Sequence, residues 1–217
     1  MTDDRKSGIA LIAGSLGGIL TMAIHPTGTA SLTAEQVGHL MALSGVAHSL
    51  AMVSVLLLFL GACGLERSIA AADRISFAAI VTFGFACVAV FIATAVSGFI
   101  VPDIMKHMSR DVPTAAHQWQ IVIGSIFQIN QAFARIYSVA ASIAMILWSV
   151  SALRNGGVGR GVAIYGCVIS ALIIVGIGIG HLRLDVHGMT VIWLGQAIWF
   201  ILVGYQLCSR SASAVSP

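Results

Sequence analysis

What most constrains this chain is the recurrence of apolar runs of about eighteen residues or more. As a helix, such a run covers the hydrocarbon thickness of a bilayer. The composition agrees, since only 9% of the 217 residues are charged, against about 25% in soluble domains. The sequence therefore predicts an all-α integral membrane protein, with six transmembrane helices in one compact bundle. No connector is long enough to hold a separate soluble domain, so residues 1–217 read as a single polytopic membrane domain. The formal charge of +3 is scattered over several loops without a basic stripe, which speaks against nucleic acid as a partner. Cys63, Cys87, Cys167 and Cys208 form no C-x-x-C pair and read as free thiols within the packing.

The expected spans are residues 8–24, 38–64, 75–101, 127–153, 162–180 and 188–207. The first is short, with a cleaved signal peptide as its alternative, and its Gly14 and Gly18 suit close helix packing. Thr33 and Gln36 form a capping box, so the second helix starts near Ala34. Pro102 closes the third span and opens a loop. The fourth is overlong. No Gly-Pro break interrupts residues 114–153, and a helix of that length reaches about 60 Å, twice the hydrocarbon thickness. Residues 114–127 are therefore expected as an amphipathic extension that projects above the membrane or bends onto it.

Basic residues set the orientation. With the N-terminus inside, Arg5, Lys6, Arg67, Arg74, Arg154, Arg160 and Arg210 are inside, while Lys106, Arg110 and Arg183 are outside. Seven against three follows the positive-inside rule, placing both termini in the cytoplasm of a bacterial-type inner (plasma) membrane. Every histidine then falls on the outer face or in the outer half of a span: His25, His39, His48, His107, His117, His181 and His187. The stretch "GHLRLDVHG", residues 180–188, joins spans five and six on that face and holds His181, Asp185 and His187. "GIGIG", residues 176–180, lacks a preceding strand, so it fails as a dinucleotide loop and reads as helix packing or a helix end.

Imidazoles and carboxylates gathered on one face point to a metal centre. The expected ligands are His48, His181, Asp185 and His187, with His25 and His39 next, for zinc, copper, iron or haem b. His48 lies nine residues beyond His39, about 13 Å deeper along one helix. Ser44 shares its face. On span four, His117, Gly124, Gln128, Gln131, Arg135, Ser138, Ser142, Met145 and Ser149 make one polar stripe that is expected to avoid lipid. Arg135, Gln131 and Gln128 suit an anionic group, and Gln196 is a further buried amide. The leading expectation is thus an outward-facing, histidine-rich site for redox or hydrolytic chemistry. Two alternatives stand beside it: a small-solute carrier or channel lined by the span-four stripe, and an assembly subunit pairing with a second copy or a membrane partner. Whether the chain is an enzyme is left open by the sequence.

Overall fold

The computed structural model describes residues 3–25, 34–69, 74–108 and 116–213, with side chains described outside 34–37, 107–108, 116–119 and 211–213. The Thr33–Gln36 capping box and the side chains of His107 and His117 lie outside those residues. The described chain is helical, without strands: α1 Asp3–Ile24, α2 Ala34–Ile69, α3 Arg74–Ala95, a π turn Val96–Ile100, α4 Val101–Met108, α5 Ala116–Asn155, α6 Arg160–Gly178 and α7 Val186–Ser213. Six helical segments among them are long and apolar enough to cross a membrane.

The helices pack as a ring in chain order, α1 beside α2, then α3, α5, α6 and α7, with α7 closing back onto α1. Small residues make this closure close. A Cβ added at Gly14 would lie 2.7 Å from the Ser54 carbonyl of α2, and one at Gly18 would enter the Trp193 indole of α7. Gly61 of α2 stands equally near Leu11 of α1. In lipid, helices associate through such van der Waals contact rather than through hydrophobic exclusion. One end of the ring is filled by aromatic rings. Trp148 packs on Phe83 at 5.5 Å and on Trp199 at 6.1 Å between ring centroids, and Phe200 lies against all three.

Three of the boundaries at which the chain departs from its sequence reading have a clear physical cause. First, α2 runs on to Ile69, because Gly64 is a packing contact against Ser7 of α1 and not a helix stop. Second, the expected loop after Pro102 is helical to Met108. Proline has no N–H and crowds the carbonyl four residues back. The π turn displaces the ladder just before it, with the Val101 N–H bonding Val96 O. Pro102 then stands in the first turn of α4, where proline is tolerated. Third, α6 ends at Gly178. Gly180 adopts φ +76°, and Leu182 N–H bonds Gly176 O at 2.9 Å in the manner of a helix C-cap. "GIGIG" is therefore a helix terminus.

As expected, α5 is one uninterrupted helix of 40 residues, about 60 Å long. Its neighbours α2 and α3–π–α4 are also longer than one hydrocarbon thickness, so the excess length is shared by three adjacent elements and not confined to α5.

Candidate functional site

At the end where α6 turns into α7, the ring encloses a partly open cavity of about 570 Å³. Five of the six spans and the α6–α7 turn line it; α6 does not. Its middle is apolar, made by Val55, Val90, Ala93, Ala134 and Met189. Phe127 and the turn residues 183–186 also border it. The turn is held in place from both sides. Gln131 Nε2 of α5 donates to Leu184 O at 3.1 Å, and Leu184 is buried with Ile173 and Ile192. Asp185 Oδ1 accepts the Gly188 N–H at 2.9 Å, capping α7. The loop "HLRLDVHG" thus serves as a fixed rim of the cavity.

His48 is the most buried of the described histidines, 6% exposed. Its Nδ1–H donates to the Ser44 carbonyl at 2.7 Å. Ser44 Oγ sits 3.3 Å from the same nitrogen and makes a long 3.4 Å bond to Ser97 O in the π turn. A Cβ on Gly98 would strike His48 Cβ and come within 2.7 Å of Cγ. The absent side chain at 98 and the π turn around it therefore make the room that this imidazole occupies. From just past the end of α1, His25 meets His48 edge-on, with ring centroids 5.1 Å apart.

Of the residues singled out by sequence, His25, His48, Gln131 and Asp185 line this one cavity. Ser44 holds His48 from its own helix. His181 is exposed on the turn, His187 in the first turn of α7 and His39 on α2. Gln128 and Arg135 are exposed on α5. Gln196 accepts from Tyr137 Oη at 3.0 Å and donates to Ser142 Oγ at 3.2 Å, a buried link between α5 and α7. The α5 stripe divides accordingly. Ser138, Ser142, Met145 and Ser149 are fully buried, whereas Gly124, Gln128 and Arg135 face out. Among the described residues, no three or more histidine, cysteine, aspartate or glutamate side chains gather as a metal-holding group.

Among the lining residues that escaped the sequence reading, two carry unpaired polar atoms. Asn130 is next to Gln131 but off the stripe, and an asparagine inside an apolar run was the available signal. Trp193 lies one helical turn before the buried Gln196. Trp193 Nε1 and Asn130 Oδ1 are both buried without a hydrogen-bond partner.

No known protein family matches the chain, and no curated protein or solved structure shows significant similarity to it.

Proposed function

We propose that this is a multi-pass membrane protein whose central cavity binds a small amphiphilic molecule at the outer face of the membrane. The carrying observation is the cavity itself. It has an apolar middle and a polar rim, as small-molecule sites between helices do, and its volume falls in the range of such sites. Support for lipid around the bundle comes from large apolar side chains turned outward on α3 and α6, among them Phe77, Phe85 and Leu172. The excess of basic residues at the opposite end supports cytoplasmic termini. Packing beyond the cavity favours a site closed at its inner end over a through-path for solutes. There Tyr137 stacks on Trp193 at 5.7 Å, and the Phe83–Trp148–Trp199–Phe200 cluster fills the ring.

The test is a cavity-filling substitution. Ala93 lines the space, so Ala93→Phe places a ring where the ligand would lie. Protein purified in mild detergent should carry a bound amphiphile visible by native mass spectrometry, and Ala93→Phe should lose it. Its thermal transition should stay within a few degrees of the parent, because filling an existing void does not overpack the core. Equal retention by both proteins would sink the reading.

A second reading rests on the His25–His48 contact. A metal-bound imidazole commonly gives its other N–H to a carbonyl, as His48 does to Ser44. With zinc, copper or iron bound there, elemental analysis of purified protein should return a stoichiometric metal that His48→Ala loses. Metal-free, folded protein rejects this reading and leaves the amphiphile site standing.

A further inference from the structure

Part of the hydrogen-bonding capacity of the cavity lining is consumed by the protein itself. Thr21 Oγ1 donates to Gly17 O at 3.0 Å and Thr94 Oγ1 to Val90 O at 2.6 Å, each within its own helix. Gln131 Nε2 donates to Leu184 O. Formal charge on the lining is confined to Arg183 and Asp185, both exposed on the turn, when the imidazoles of His25 and His48 are neutral. Two side-chain atoms of the lining are buried without a hydrogen-bond partner, Trp193 Nε1 and Asn130 Oδ1. The Trp193 indole N–H is a donor only, and Trp193 is 6% exposed. Asn130 Oδ1 is an acceptor only. Because a carbonyl cannot donate, the His48–Ser44 bond fixes the ring hydrogen on Nδ1. In the neutral ring Nε2 is then an acceptor.

One donor and two acceptors, with no counter-charge among them, describe a particular head group. Building on the cavity reading above, we propose that the ligand is an uncharged amphiphile whose hydroxyl, alcoholic or phenolic, enters the cavity. A hydroxyl both accepts and donates. It takes the Trp193 N–H and gives its own proton to Asn130 Oδ1 or His48 Nε2. The apolar body lies along Val55, Val90 and Ala93. A carboxylate or quaternary ammonium of the same length must shed its water without an opposite charge at that depth, and is rejected.

Three probes sharing one chain decide this: tritiated tetradecanol, tetradecanoate and tetradecyltrimethylammonium, at mildly alkaline pH, on the full protein in nanodiscs with empty nanodiscs subtracted. Tetradecanol should bind saturably and at least about ten-fold more tightly than either charged probe. Trp193→Phe removes the N–H and keeps an aromatic ring. It should weaken tetradecanol about ten-fold and leave the charged probes unchanged. If the three heads bind alike, or a charged head binds best, the hydroxyl assignment is overturned while the cavity reading survives. If none binds saturably, or if Ala93→Phe binds all three as the parent does, the cavity reading fails and the assignment falls with it. Should Trp193→Phe fold poorly, the parent protein's ranking of the three heads still decides.

Discussion

Gly98→Ala, the addition of a single methyl group, is expected to destabilise the protein by about 1–3 kcal/mol and to abolish cavity binding. Elsewhere the same change should do the opposite. Alanine is the better helix former by roughly 1 kcal/mol, and at Gly161 of α6 an added Cβ meets nothing within 4 Å. Gly161→Ala should therefore be neutral or mildly stabilising. At Gly98 the Cβ meets the base of the His48 side chain, which cannot rotate away as a flexible tip can. The π turn and α4 must shift, or His48 must leave its place between Ser44 and His25. The double variant separates these effects. With His48→Gly, which removes both Cβ and Cγ, the obstruction is gone, so much of the cost of Gly98→Ala should disappear, giving a coupling on the order of 1–2 kcal/mol. Thermal or denaturant unfolding in detergent measures all four corners of the cycle. Additive losses would mean that Gly98 and His48 do not share space in the way described.

Trp148→Ala should produce the largest loss of stability, about 3–5 kcal/mol. Trp148 is fully buried and touches Phe83, Trp199 and Phe200. The loss arises chiefly from the cavity left behind and from lost dispersion contacts, because lipid tails are as apolar as the side chains removed. Phe83→Ala in the same cluster should cost comparably when made alone and less when added to Trp148→Ala, since the second truncation enlarges a void already made. Ligand binding at the other end should survive in whatever fraction remains folded. A change below about 1 kcal/mol would contradict the aromatic cluster as the packed floor of the ring.

The spans were readable because run length and helical period are local properties. Gly14 and Gly18 announced close packing, and both lie against neighbouring helices. The continuity of α5 was also legible, since nothing in residues 116–155 breaks a helix. The continuation past Pro102 was not. A proline reads as a stop unless a displaced turn just before it is known, and Gly98 alone does not reveal one. The gathering of histidines toward one end follows from counting spans. That His25 meets His48, while His39, His181 and His187 stay exposed, depends on which helices become neighbours. A stripe on one helix names a face but not its partner. For the same reason the α5 stripe is buried at Ser138, Ser142 and Ser149 and open at Gln128. Asp185 drew attention as a charged group near two histidines, and local geometry gives it a helix-capping bond. Asn130 and Trp193 become visible as a pair only once the ring has closed.

The central claim is that an amphiphile enters the middle of the ring and does not merely coat its outside. Photolabelling with a diazirine-bearing aliphatic alcohol in nanodiscs, followed by peptide mapping, tests this most directly. The account predicts adducts on buried cavity residues such as Ala93, Ala134 and Trp193, competed by unlabelled alcohol and lost in Ala93→Phe. Adducts confined to outward-facing residues such as Phe77, Phe85 and Leu172, unaffected by competitor, would contradict it.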